Sequence, residues 1–143
     1  MKDTPRQNPV PAWAGAVLGL AAGYNLVWGA WVLLFPDAFF HLIGMAPPSY
    51  PQIWQCLGMV VGVYGVGYAI AATDPFRHWP IIFVGWLGKV LGPFGTLQNA
   101  WLGKLPWKML YLNLTNDFIW WIPFTVILVQ AYRSHSLLKR HSP

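Results

Sequence analysis

Four long apolar stretches, at about residues 12–35, 52–73, 79–102 and 107–132, decide what this chain can fold into. A helix that rises about 1.5 Å per residue needs about 20 such residues to cross a hydrocarbon layer about 30 Å thick. Each stretch is long enough. The first is also too long for the core of a signal peptide, and further spans follow it where a cleaved leader would give way to a soluble chain. Composition agrees, with 56% of residues hydrophobic and 9% charged. A soluble surface needs roughly a quarter to a third of its residues charged. The expected fold is therefore all-α: an integral membrane bundle of four helices, in one domain covering residues 1–143.

Proline punctuates the stretches. Pro36, Pro47, Pro48 and Pro51 separate the first from the second, Pro75 and Pro80 the second from the third, and Pro106 the third from the fourth. Each lacks a donor and biases its predecessor away from helix, which suits a membrane edge. Only the first connection is long enough for structure of its own. Its FF and LIGM groups predict a short interfacial helix at residues 39–45. Pro93 and Pro123 fall inside the third and fourth spans, where each should free a carbonyl and bend its helix.

In lipid, helices associate through close packing and interhelical hydrogen bonds, so small residues one turn apart mark contact faces. The first span offers Gly15, Gly19 and Gly23, the second Gly58, Gly62 and Gly65, and the third Gly85, Gly88 and Gly92.

Polar residues at membrane depth give the candidate site. Lys89 comes ten residues after Trp79, and Asp117 ten after Trp107. Each therefore sits roughly 15 Å from its own interface, near the midplane. Asn25 and Tyr64 reach a similar depth on the first and second spans. Asn113, Asn116, Asp117 and Trp120 share one face of the fourth helix, and Gly85, Lys89, Gly92, Thr96 and Asn99 one face of the third. An isolated Lys or Asp at this depth costs about 3 kcal/mol on insertion scales. Attraction of roughly 4 kcal/mol across about 4 Å, at an effective dielectric of about 20, offsets much of that. Lys89 and Asp117 are thus expected to meet, directly or through Asn25, Asn116 or a water. Two readings stay open: a staple that fixes helix register, or a polar site that holds a headgroup or relays a proton.

Several chemistries are disfavoured. Cys56 is the single cysteine, so no disulfide, CxxC motif or thiolate cage can form within the chain. It is expected to be a buried structural residue. His41, His78, His135 and His141 all lie outside mid-span, which leaves no facing pair for haem and no expected metal site. The net charge of +5 does not imply nucleic acid, because the bases are scattered at chain ends and loop edges.

The strings YNLVWGAWVLLFPDAFFHLIGM, WQCLGMVVGVYGVGYAIAATDPFRHWP, GWLGKVLGPFG and TNDFIWWIPF together resemble a family of small bacterial four-span proteins with DoxX-like organisation, over nearly the whole chain. The resemblance implies the bacterial inner membrane and a link to quinone-associated redox systems. Members often carry the label alkyl hydroperoxide reductase. That chemistry uses a soluble thioredoxin-like fold with a reactive thiolate and usually a resolving thiol, whereas Cys56 stands alone. No catalytic residue carries over. The expected function is non-enzymatic: an integral membrane protein that binds a lipid-like or quinone-like molecule, or an accessory subunit of a membrane complex. The alternative is a small membrane enzyme or transporter that uses Lys89 and Asp117 for proton transfer. Expected partners are membrane lipid, a quinone or other apolar ligand, and a membrane protein; no cofactor is specified.

Lys and Arg set the orientation. Lys2, Arg6, Arg77, Arg133, Lys139 and Arg140 share one side, against Lys104 and Lys108 on the other. Both termini are therefore expected in the cytoplasm. A Ser136→Cys probe in a Cys56→Ser background should react with an impermeant thiol reagent only from the cytoplasmic side. Labelling from the periplasm alone would reverse the topology.

Overall fold

The computed structural model describes the backbone of residues 10–140 and the side chains of residues 10–136. Lys2, Arg6 and His141 and the side chains of Lys139 and Arg140 lie outside the described residues. Within them the chain is all-helical, without strands. Its elements are α1 (Ala12–Leu34), α2 (Ala38–Leu42), α3 (Pro51–Thr73), α4 (Trp79–Trp101), α5 (Leu110–Asn113) and α6 (Ile119–Arg140). A 3-10 turn, Trp107–Met109, leads into α5, and a π-helical turn, Leu114–Phe118, joins α5 to α6. Four helical runs are long and apolar enough to cross a membrane: α1, α3, α4 and the composite run Trp107–Ser136.

Span ends follow local chemistry. The second begins at Pro51, one residue earlier than the apolar pattern alone suggests, because proline's fixed φ suits the first helical turn. The fourth continues as helix beyond residue 132 through a polar segment to Arg140. The short helix lies at Ala38–Leu42 and so stops before the expected residue 45. Gly44 ends it in the left-handed region at φ 66°. The Gly44 N–H donates to the His41 carbonyl at 3.1 Å and the Met45 N–H to the Phe40 carbonyl at 2.8 Å, the double bond of a Schellman cap. Phe39 and Phe40 from α2 pack with Trp54 of α3 at centroid distances of 5.7 and 5.0 Å, and Trp28 of α1 meets the same ring at 5.8 Å. On this same end of the bundle Lys108 donates to the Ile43 carbonyl at 3.3 Å, tying the third connection to the first.

The helices close in chain order. α1 lies antiparallel on α3, α4 on α6 and α3 on α4, and α1 meets α6 to complete the ring. Ala14, Leu18, Ala21, Tyr68, Ile82, Phe124 and Ile127 form the dry core. Large residues such as Leu20, Val27 and Val63 are exposed around the outside, where a bilayer supplies the apolar surroundings that water cannot.

The glycines divide unevenly. A Cβ at Gly15 would touch the Ala72 carbonyl at 3.0 Å, and one at Gly65 the Ala22 carbonyl at 3.0 Å. The tightest approach of backbone to backbone is at Gly29, where a Cβ would lie 2.5 Å from the Gly58 carbonyl oxygen. Gly29 was not part of the expected stripe. Gly19, Gly23 and Gly88, which were, meet nothing within 4 Å. Spacing alone cannot choose among the sides of a helix that carries glycine on more than one of them. Cys56, expected to be buried, is exposed. It lies beside Leu57 and not on the Gly58 face that α1 covers.

Gly29→Val should therefore destabilise the protein by about 3 kcal/mol, since backbone and not a movable side chain blocks the new atoms. Gly19→Ala should stay within about 0.5 kcal/mol of the parent. Thermal unfolding in detergent micelles separates the two.

Candidate functional site

Pro93 organises the seam between α4 and the fourth span. Without an N–H it cannot bond the carbonyl four residues earlier, which belongs to Lys89. The Trp121 indole N–H donates to that carbonyl at 2.9 Å from the facing helix. One turn away the Trp86 indole donates to Thr125 Oγ1 at 3.0 Å, and the Thr125 hydroxyl donates to its own helix at the Trp121 carbonyl, at 2.7 Å.

Lys89 and Asp117 are 5% and 3% exposed, so neither side chain faces the lipid. They are joined through Asn116. Lys89 Nζ donates to the Asn116 backbone carbonyl at 2.5 Å, and Asn116 Nδ2 donates to Asp117 Oδ1 at 2.9 Å. Asn113 Nδ2 donates to the other carboxylate oxygen at 2.7 Å. No lysine or arginine nitrogen lies within 4.0 Å of a carboxylate oxygen among the described residues. The rings of Tyr68 and Trp120 flank the ammonium, each centroid 5.8 Å from Nζ, and add cation–π attraction to its single hydrogen bond.

The π-helical turn makes this geometry available. Its wider winding, marked by the Ile119 N–H bonding back to the Leu114 carbonyl, places Asn116 and Asp117 beside α4. Two carbonyls of the turn take side-chain donors: that of Thr115 from the Trp120 indole at 3.1 Å, and that of Asn116 from Lys89. Pro123 lies one turn beyond, where its missing N–H already breaks the regular ladder. Tyr24 of α1 reaches the same turn, its hydroxyl donating to Thr115 Oγ1 at 3.0 Å.

The other midplane residues take separate positions. Asn25 is buried on α1 against Gly65. Tyr64 is half-buried and packs on Tyr68, with centroids 6.3 Å apart. Thr96 and Asn99 donate to carbonyls of their own helix, at Gly92 and Gly95. Tyr68 was not singled out from sequence. It enters the cluster because Gly85 has no side chain, and a Cβ there would overlap the Tyr68 ring. The Asn25, Asn113 and Asn116 side-chain oxygens are buried without a partner. Among the described residues no group of three or more His, Cys, Asp or Glu could hold a metal ion.

Against the outer side of the seam lies an apolar groove of about 380 Å³, bounded by Pro93, Phe94, Leu97, Leu114, Phe118 and Trp121, with Leu110 and Tyr111 at its end. Trp121 is thus at once a wall of the groove and the donor to Lys89.

Breaking one side of the buried cluster strands the other. Asp117→Leu or Lys89→Met alone should cost about 3–5 kcal/mol, and the double variant less than the sum. A double-mutant cycle on thermal stability measures the coupling; strictly additive losses would show that the two charges do not depend on each other. No family model, curated protein or solved structure matches the chain.

Proposed function

We propose that this is a non-enzymatic integral membrane protein that holds a lipid-like or quinone-like molecule, acting alone or as an accessory subunit of a membrane complex. The groove beside Trp121 carries the reading. Its volume falls within the usual range for small-molecule sites, roughly 300–1,000 Å³, and its lining is apolar and aromatic. It opens on the outer surface of the seam, so a ligand dissolved in the bilayer reaches it without crossing water.

The polar cluster favours a supporting role for Lys89 and Asp117. Lys89 donates to the Asn116 carbonyl, Asp117 accepts from Asn113 and Asn116 of its own segment, and neither side chain lines the groove. A second reading, a membrane enzyme or transporter that moves protons through this pair, draws support from the partnerless oxygens of Asn25, Asn113 and Asn116. The DoxX-like resemblance and a bacterial inner-membrane location are compatible with both.

Protein extracted in mild detergent should carry an apolar molecule in near-stoichiometric amount, detected by mass spectrometry of the organic extract. Leu114→Trp, which fills the groove from an exposed position, should reduce that yield at least about fivefold while leaving the melting temperature in place. A ligand-free parent would overturn the reading. Loss of cellular activity in Asp117→Asn, with ligand content unchanged, would favour the proton-transfer alternative.

A further inference from the structure

The same seam carries a second groove, about 370 Å³, on the other side of the midplane. Phe83 and Trp86 of α4 face Leu128, Val129 and Tyr132 of α6 across it, and Arg133 closes its outer end. We propose that this groove seats an anionic phospholipid, with one acyl chain along the aromatic floor and the phosphate on the Arg133 guanidinium. The site is distinct from the Trp121 groove and does not depend on what that groove holds.

Depth supports this occupant. Thr125 lies eight residues beyond Asp117 and Arg133 sixteen, roughly 12 and 24 Å along the helix. The groove therefore runs from hydrocarbon to the rim of the headgroup layer, whose outer limit is about 20–22 Å from the bilayer centre. Because a helical side chain leans back toward its N-terminus, the Arg133 guanidinium returns into that layer. Polarity changes along the same line. At the deep end the Trp86 indole is bonded to Thr125, and Thr125 to the Trp121 carbonyl, so no free donor competes for the chain. At the shallow end Arg133 is exposed, and no carboxylate lies within 4.0 Å of it among the described residues. Asp74, the acid at this end of the bundle among the described residues, accepts the Arg77 backbone N–H at 3.1 Å. An apolar slot with an unneutralised cation at headgroup height matches an acyl chain joined to a phosphate. A neutral isoprenoid would leave the cation unmatched.

Full-length protein in nanodiscs of equimolar phosphatidylglycerol and phosphatidylcholine supplies the test, with retained lipids counted by native mass spectrometry after gentle release. The parent should retain phosphatidylglycerol in preference. Arg133→Gln should lower that preference about fivefold, the expected worth of one basic residue near the headgroups, and Arg133→Lys should keep most of it. Val129→Trp should fill the groove and lose both lipids, while Leu114→Trp in the other groove should change nothing in this assay. A parent with no headgroup preference would overturn the proposal, as would an Arg133→Gln protein that matches the parent. Displacement of the lipid by millimolar glycerol phosphate would also overturn it, because the charge would then be acting without the groove.

Discussion

A carbonyl left without a donor in hydrocarbon has no water to turn to, and Pro93 leaves one at Lys89. The Trp121 indole takes up that carbonyl from across the seam. This bond, together with those from Lys89 and Trp86, fixes the axial register of α4 against the fourth span. In that register Lys89 Nζ reaches the Asn116 carbonyl, Trp86 reaches Thr125, and a groove is left on either side of the midplane. A donor shorter than an indole would have to draw the helices together. The large aromatic both satisfies the carbonyl and keeps the helices apart.

The two halves of the bundle therefore cohere by different means. α1 and α3 come together through missing side chains, with Gly29 against Gly58 and Gly65 against Ala22, so that backbone packs on backbone and dispersion and weak Cα–H contacts dominate. α4 and the fourth span stand further apart and are tied by named hydrogen bonds from Trp86, Lys89 and Trp121. Backbone packed on backbone draws α1 and α3 together, whereas indoles space the other seam. Both grooves lie on the second kind of seam.

Hydropathy and length made the four spans legible, because a 30 Å hydrocarbon layer allows almost no other architecture for such stretches. Counting residues from the interfacial tryptophans was enough to bring Lys89 and Asp117 to one depth, and helical spacing set Asn116 beside them. Less of the site could be read. Nothing in the string Leu114 to Phe118 announces a π-helical turn, and the Lys89 donor that its Asn116 carbonyl accepts lies on another helix. Tyr68 was hidden because its place depends on a glycine in another helix, and Gly29 because the stripes sought ran through other glycines. Where residue identity acts through a neighbour's absent atoms, a single sequence offers no local signal.

Burying the charges of Lys89 and Asp117 is weak evidence for stability, since an apolar packing of the same volume often does as well. What the pair supplies is discrimination. An all-apolar seam in lipid could slide by a turn with little change in dispersion, but a slip here would strand an ammonium, a carboxylate and the Pro93-freed carbonyl together. The penalty for misregister is then several times that of any one contact. A groove wall set by such a register is ordered in advance, so the proposed apolar molecule would leave little ordering to be done at binding. Trp121 links the two levels: the indole N–H is held by the Lys89 carbonyl, so the ring it presents to the groove is fixed in orientation before any ligand arrives.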